Sequence, residues 1–142
     1  MIFVDTSALV AMADRSDYYH VPAADYLRSL TIAAGGLVIT EYVLDYVLDE
    51  TFTRLRLTIG HSPAAAFGNA IMTSNLYTVV NVDARIFRLA WGWFKKYDDK
   101  DFSFTDCTSF VVMKALKLEK AFTFDRHFAQ AGFACCPGND MG

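Results

Sequence analysis

The chain has 142 residues, of which 54% are hydrophobic and 20% are charged, and its formal net charge is −3. This length fits one domain with one core, and the composition excludes a disordered chain. The acidic balance argues against a general nucleic-acid coat protein, which would be basic overall. It does not argue against a nuclease, because bound cations neutralise an acidic pocket.

The cysteines and the apolar runs indicate the cellular compartment in which the chain is expected. The three cysteines, Cys107, Cys135 and Cys136, are odd in number and have neither the pattern of a disulfide framework nor zinc-site spacing. A reducing cytoplasm is therefore the simplest expectation. No basic segment followed by an apolar stretch opens the chain, so we expect no signal peptide. No apolar run reaches the roughly 18 residues of a membrane span, so we expect no membrane association.

The chain opens with an apolar run at residues 1–4 that stops on Asp5. Continuous Ile, Phe and Val without polar alternation is typical of a strand buried on both faces of a parallel sheet. We expect Thr6 or Ser7 to cap the helix that follows. The next elements in chain order are a helix at 6–13, a helix at 20–34, a strand at 37–40 and a long helix at 41–59.

The long helix contains Tyr-Val-Leu-Asp twice in tandem, at residues 42–49. At roughly 100° per residue, one face carries only apolar side chains and is expected to face the core: Leu44, Val47, Leu48, Leu55 and Ile59. Asp45 and Asp49 share a polar face. Glu50 instead lies on a largely apolar flank, which is the more informative position for a carboxylate.

The second half continues the alternation of helices and strands. Ser62 and Pro63 are good start signals for a helix, and a second apolar run that ends on a carboxylate, Asp125, repeats the pattern of residues 1–5. We expect helices at 62–74, 83–96, 107–116 and 126–131, strands at 76–82 and 121–124, an edge strand at 133–136, and a tail that frays from about residue 137. The pattern predicts a single α/β domain over residues 1–142 with a mainly parallel sheet.

Four acids are candidates for a shared site. Asp5 and Asp125 end strands, Asp106 lies where a helix starts, and Glu50 lies in the long helix. Ligands bind at the carboxyl ends of parallel strands, so these acids are expected to converge there. Packed carboxylates repel one another unless a cation holds them, and their oxygens suit Mg²⁺ or Mn²⁺. Such an ion lowers the pKa of water and stabilises the charge of phosphodiester cleavage.

Each acid also has a plainer interpretation. Asp5 and Asp125 are placed to cap the helices that follow them. Asp106 is an acid favoured by the dipole of a helix N-terminus. Glu50 is four residues before Arg54, which is the spacing of a surface ion pair.

Other polar residues have paired interpretations too. Thr105 either orients a carboxylate or caps a helix. Arg126 and Arg85 each follow an acid at the end of a predicted strand, so each either holds a substrate phosphate or is a surface residue. The histidines, including His127, lack metal-ligand spacing and are interpreted as surface or interface residues.

Three segments together resemble the motifs of PIN-domain ribonucleases. Residues 4–9 (Val-Asp-Thr-Ser-Ala-Leu) are similar to the opening motif of that family. Residues 101–107 (Asp-Phe-Ser-Phe-Thr-Asp-Cys) and 123–128 (Thr-Phe-Asp-Arg-His-Phe) are similar to the later motifs of its VapC-type toxins. The motifs occur in the family's order over nearly the whole chain.

The resemblance implies a three-layer α/β/α fold and an endoribonuclease that depends on Mg²⁺ or Mn²⁺. It implies that Asp5, Asp106 and Asp125 belong to an acidic site, with Asp5 and Asp106 as metal ligands. It also implies an acid in the helix after the second strand, a role that passes to Glu50 through the match of residues 47–55. A cognate antitoxin and a homodimer are implied as well.

The doubled Tyr-Val-Leu-Asp departs from the family pattern, in which we expect one such unit. If the extra turn shifts the helix, Glu50 moves by about 6 Å along the axis, and Asp45 or Asp49 becomes the reserve candidate.

Three other functions stay open at the level of the sequence. The first is a PIN nuclease of RNA maturation, which would have no neighbouring antitoxin reading frame. The second is a phosphotransfer domain with Asp83 as acceptor, although no Lys follows Phe124. The third is a non-catalytic binding module, which would bind no metal and cleave nothing.

Overall fold

A parallel sheet forms the centre of the computed structural model, which describes residues 1–138. Its strands are β1 (Ile2–Val4), β2 (Leu37–Thr40), β3 (Tyr77–Val80), β4 (Lys120–Phe122) and β5 (Ala134–Cys136). The spatial order is β3-β2-β1-β4-β5, and every neighbouring pair is parallel. The predicted α/β class with a parallel sheet is confirmed.

The helices cover both faces of this sheet. They are α1 (Thr6–Ala13), α2 (His20–Ser29), α3 (Glu41–Val47), a π-helical segment (Leu48–Phe52), α4 (Thr53–Thr58), α5 (His61–Thr73), α6 (Ala84–Lys96), α7 (Phe104–Ala115) and α8 (His127–Gln130). Tyr26 of α2 packs against Phe122 with ring centroids 4.9 Å apart. Phe128 of α8 packs against Phe3 on the opposite face, with centroids 6.2 Å apart. The fold therefore has the three layers that were predicted.

The strand order reverses direction between β1 and β4. From β1 the chain continues to β2 on one side, and from β4 it continues to β5 on the other. The backbone N–H of Asp5 donates to the carbonyl of Phe122 at 3.0 Å, so the ends of the two strands lie side by side. In open parallel sheets ligands bind at such a switch point.

The long helix of residues 41–59 is not uniform. Val43, Val47 and Leu55 are buried as an amphipathic helix requires, but Ile59 is 54% exposed. The prediction that Ile59 faces the core was wrong. The helix α4 ends at Thr58 and Ile59 is its C-cap, so Ile59 lies where the 100° pattern of a helix face no longer applies.

The capping residue of α1 and the start of α7 differ from the helix pattern expected in chain order, although α1 begins at Thr6 as predicted. The carboxylate of Asp5, not Thr6 or Ser7, caps α1 by accepting from the backbone N–H of Ser7. The helix α7 begins at Phe104, three residues earlier than predicted, because Ser103 caps it.

Two bounds in the middle of the chain differ as well. The helix α2 ends at Ser29, short of the predicted residue 34. The helix α5 begins at His61 after Gly60, whose φ of 102° is a left-handed conformation that favours glycine.

Two further expectations concern the ends and the surface. The fraying predicted from about residue 137 falls mostly outside the described residues 1–138. Within those residues, no helix combines the length and the apolar character that a membrane crossing requires.

Candidate active site

One open cavity lies at the carboxyl end of the sheet, at the switch point between β1 and β4. Its volume is about 510 Å³, and Asp5, Asp106 and Asp125 all line it. Three different parts of the chain supply these acids: the end of β1, the first turn of α7 and the loop after β4. The structure thus brings three of the four predicted acids together.

Asp5 is held by a network of hydroxyl groups. Its Oδ2 accepts from Ser7 Oγ at 2.8 Å and from Thr123 Oγ1 at 2.9 Å, the latter 118 residues away in sequence. Ser7 Oγ in turn accepts from the backbone N–H of Phe124 at 2.9 Å. Asp5 is only 2% exposed. The same side chain therefore caps α1 and lines the cavity. The capping interpretation is confirmed, and the functional role of Asp5 stays a prediction.

Asp106 is fixed by a reciprocal cap at the start of α7. Its Oδ2 accepts from the backbone N–H of Ser103 at 3.1 Å, and its own N–H donates to Ser103 Oγ at 2.9 Å. These bonds are the capping box of a helix N-terminus. Asp106 also lines the cavity, so the capping bonds hold its carboxylate in place there rather than competing with a functional role.

His127 joins two of the acids, although its position in the sequence had led us to interpret it as a surface or interface residue without metal-ligand spacing. Its Nδ1 lies 3.1 Å from Asp106 Oδ2 and 3.2 Å from Asp125 Oδ1. Its side chain is 18% exposed. The sequence contained one usable signal: His127 follows Asp125 by two residues, at the same edge of the sheet.

Burial and mutual repulsion shape the electrostatics of the cavity. Burial raises the pKa of Asp5, although the hydrogen bonds from Ser7 and Thr123 oppose that shift. Burial, followed by the charge of Asp5, raises the pKa of Asp106 to about 6. Carboxylates placed this way resist ionisation unless a positive charge compensates them.

The donor set fits a divalent cation. Asp106, Asp125 and His127 each offer a ligand atom, and these atoms lie within 4.8 Å of one another. Carboxylate oxygens suit Mg²⁺ and Mn²⁺, and Mn²⁺ also accepts imidazole nitrogen. Asp5 is not in this group of three, although its charge acts on Asp106. A role for Asp5 as a metal ligand stays a prediction.

The structure does not bring Glu50 to the other acids. Glu50, Asp45 and Asp49 are all exposed, and the side chain from this helix that lines the cavity is Tyr46. The catalytic role of Glu50 stays a prediction.

The two residues predicted to contact substrate line two different cavities, and Asp125 lines both of them. Thr105 lines the acidic cavity, and since Ser103 caps α7, the alternative role of Thr105 as the helix cap does not hold. Arg126 is exposed and lines a neighbouring cavity of about 550 Å³. Arg85 lies in the first turn of α6 and is exposed.

Comparison with protein families and curated proteins gives consistent relatives. A model of the PIN domain matches residues 2–134. The chain is 37% identical to the 23S rRNA-specific endonuclease VapC20 of Mycobacterium tuberculosis over 133 residues, which cover 94% of this chain and 95% of that protein. It is 29% identical to a VapC ribonuclease of Archaeoglobus fulgidus over 127 residues, which cover 89% of this chain and 78% of the relative.

Solved structures agree with the sequence relatives. The fold is similar to the crystal structure of Mycobacterium tuberculosis VapC20, described as a sarcin-ricin loop cleaving toxin, with a TM-score of 0.78 and 34% identity over 94% of this chain and 97% of that one. It is also similar to FitAcB from Neisseria gonorrhoeae, with a TM-score of 0.66 over 95% of this chain and 96% of that one. At 16% identity, the second likeness concerns the fold alone.

Proposed function

Since the chain belongs to the PIN domain family, we propose that it is an endoribonuclease that hydrolyses RNA phosphodiester bonds with the help of Mg²⁺ or Mn²⁺. The observation that carries the proposal is the acidic cavity, in which Asp5 and Asp106 are buried with raised pKa values beside Asp125. Helix capping explains the positions of Asp5 and Asp106 singly, but it does not offset the repulsion of three acids in one cavity, which a bound cation would relieve. The 37% identity to an RNA endonuclease supports RNA as the substrate class.

The acids have distinct roles in this proposal. Asp106 and Asp125 hold the cation, together with His127 or Asp5. When bound, the ion supplies positive charge that favours ionisation of water and stabilises the negative charge that develops on the phosphate. Asp125, with a side chain 29% exposed, is the most accessible of the three acids and orients the attacking water.

The remaining polar groups keep the acids in place or contact the substrate. Ser7 and Thr123 donate hydrogen bonds to Asp5 Oδ2, and these bonds hold the carboxylate of Asp5 in one orientation. Ser103 does the same for Asp106. Thr105 lies in the wall of the cavity and contacts the phosphate that is cleaved.

We also propose that the chain is the toxin of a toxin–antitoxin pair and works in the cytoplasm. The crystal structure of the M. tuberculosis relative is described as that of a toxin. A cognate antitoxin protein would then block the site, and a homodimer is the expected assembly. Exposed aromatic side chains, among them Trp91 at 49% and Phe94 at 44%, are compatible with such interfaces.

RNA cleavage by the purified protein tests the proposed activity. Ribosomes and 23S rRNA are the first substrates to try, because the M. tuberculosis relative is specific for 23S rRNA. We expect cleavage with Mg²⁺ or Mn²⁺, none with a chelator, and a loss of at least about 100-fold in Asp106→Asn. Asp25→Asn, at an exposed acid paired with Arg28, is the matched control and should cleave normally. Cleavage that survives both the chelator and Asp106→Asn would contradict the proposal.

Growth of bacteria that express the chain tests the toxin role separately. We expect induction of the wild-type chain to arrest growth and Asp106→Asn to abolish the arrest. Normal growth despite full RNA cleavage activity in vitro would favour a nuclease of RNA maturation instead.

A further inference from the structure

A second cavity adjoins the acidic one. Its volume is about 550 Å³, and it shares Tyr19, Phe124 and Asp125 with the acidic cavity. Tyr18 and Arg126 line only the second cavity. An RNA strand that passes through the acidic cavity can therefore continue into the second cavity along the wall that the two cavities share.

The common wall is an aromatic stack. The rings of Tyr19 and Phe124 are 4.5 Å apart between centroids and 13° from parallel. Tyr18 packs edge-on against Tyr19 at 4.9 Å and 84°. Tyr18 is 89% exposed, so it contributes little to the core. Bases of single-stranded nucleic acid stack on aromatic rings presented in this way.

The segment that carries these tyrosines is anchored at both ends. Asp17 Oδ1 accepts from the backbone N–H of Tyr19 at 2.9 Å. His20 Nδ1 lies 2.7 Å from the carbonyl oxygen of Ala11. The exposed ring of Tyr18 therefore stands on a fixed backbone, which reduces the entropy lost when a ligand stacks on it.

The second cavity shares Asp125 with the first and adds the cation Arg126 to its lining. Arg126 is exposed, and it forms no ion pair with any acid among residues 1–138. A guanidinium group suits phosphate because its N–H donors match two phosphate oxygens. An aromatic platform beside an unpaired cation is the combination that binds one nucleotide of a single strand.

We propose that the second cavity binds the nucleotide next to the cleaved phosphate, with its base on Tyr18 and its own phosphate on Arg126. The inference rests on the proposed ribonuclease activity and adds the place where the single strand leaves the acidic cavity. It assigns Tyr18 and Arg126 to substrate binding and leaves the chemistry to the acids.

Binding of a fluorescent single-stranded RNA tests the inference. It is measured in an Asp106→Asn background, where the RNA stays intact, and Tyr18→Ala should weaken binding by between about 5- and 100-fold. Tyr18→Phe, which keeps the ring, should bind within about twofold of the background. Arg126→Ala should weaken binding and reduce the slope of log affinity against log salt by about 0.7.

Matched controls come from α6, away from both cavities. Phe87→Ala removes an aromatic side chain that is 46% exposed, and Arg88→Ala removes an exposed cation. Both should bind like the background. In the active protein, Tyr18→Ala should raise KM much more than it lowers kcat.

Two results would overturn the inference, and they are distinguishable. If the wild-type protein cleaves RNA but Tyr18→Ala and Arg126→Ala bind as the α6 controls do, the subsite is wrong while the proposed function stands. If the wild-type protein neither cleaves nor binds RNA, the proposed function fails and the subsite fails with it.

Discussion

Asp5 and Asp106 are buried acids, and burial together with the charge of Asp5 raises the pKa of Asp106. Asp106 is 5% exposed, and its pKa is raised to about 6, first by burial and then by the charge of Asp5. An acid with a raised pKa in the folded state binds its proton more tightly there than in the unfolded chain. Its contribution to stability is therefore present below pH 4 and is lost as pH rises through about 6.

The raised pKa of Asp106 predicts that Asp106→Asn stabilises the metal-free protein at pH 7.5. A shift from 3.8 to about 6 corresponds to about 3 kcal/mol, so we expect the variant to gain about 1–3 kcal/mol in the free energy of unfolding. The gain should shrink toward pH 4, where the wild-type carboxyl is protonated. Thermal unfolding in the presence of a chelator measures it, with the exposed loop acid in Asp98→Asn as control. An Asp106→Asn variant that is less stable at pH 7.5 would refute this picture.

The long helix determines whether a fourth acid reaches the site. The π-helical segment spans Leu48–Phe52, so it overlaps the end of the doubled Tyr-Val-Leu-Asp and contains Glu50. Tyr46, which precedes this segment, lines the cavity, and Glu50 stays exposed.

The position of Glu50 predicts a modest effect of its removal. We expect Glu50→Gln to lower kcat/KM by less than about fivefold, compared with at least about 100-fold for Asp106→Asn. Parallel cleavage assays with Asp45→Asn and Asp49→Asn complete the comparison. A loss in Glu50→Gln as large as that in Asp106→Asn would place Glu50 among the catalytic acids.

An ion pair connects the loop after α1 to α4. Asp14 accepts hydrogen bonds from the backbone N–H and the hydroxyl of Ser16 and from Arg54 Nη2, the last at 2.7 Å. These bonds, those from Ser16 foremost, hold the pKa of Asp14 below its usual value. The stabilisation they provide is present above pH 4 and is lost as pH falls through the lowered pKa.

Removal of the Asp14 carboxylate should therefore destabilise the protein at neutral pH. We expect Asp14→Ala to lower the free energy of unfolding by about 1–3 kcal/mol. Asp25→Ala, which breaks an exposed pair with Arg28, should cost less than about 1 kcal/mol. Urea unfolding at pH 7 measures the free energy of unfolding of both variants. Equal losses of this free energy would contradict the structural role of Asp14.

At the scale of the whole molecule, an aromatic cluster on one side of the sheet joins the elements that carry the site. Phe110 of α7 is fully buried, with ring centroids 5.0 Å from Phe102 and from Phe128 and 5.8 Å from Phe133. Asp106 lies one turn before Phe110, and His127 directly precedes Phe128. The cluster therefore sets the distance between α7 and the loop after β4.

Truncation of this cluster should be among the most destabilising single changes. We expect Phe110→Ala to lower the free energy of unfolding by about 3–5 kcal/mol, because it leaves a cavity among rings that cannot collapse. Phe94→Ala, at a side chain 44% exposed, should cost about 1 kcal/mol or less. Chemical denaturation measures the free energy of unfolding of both variants. Similar losses would show that the aromatic cluster stabilises the fold no more than a half-exposed side chain does.

The sequence predicts the strands and three of the site acids because both leave local signals. Asp5 and Asp125 each end an apolar run, and the parallel sheet brings such ends together. Ser7 and Thr123 could not be predicted as partners, since the bond to Asp5 depends on a contact 118 residues apart. Ile59 was misplaced because α4 ends at Thr58, one residue before it, and the apolar period alone does not fix where a helix ends.

Crystals soaked in Mn²⁺ would show whether the acidic cavity is a divalent-cation site. We expect an anomalous peak within roughly 2.4 Å of carboxylate oxygens of Asp106 and Asp125, and the remaining ligands would show whether Asp5 or His127 completes the site. A map with no peak in the cavity at saturating Mn²⁺, or a peak whose ligands include neither Asp106 nor Asp125, would rule out the cation site.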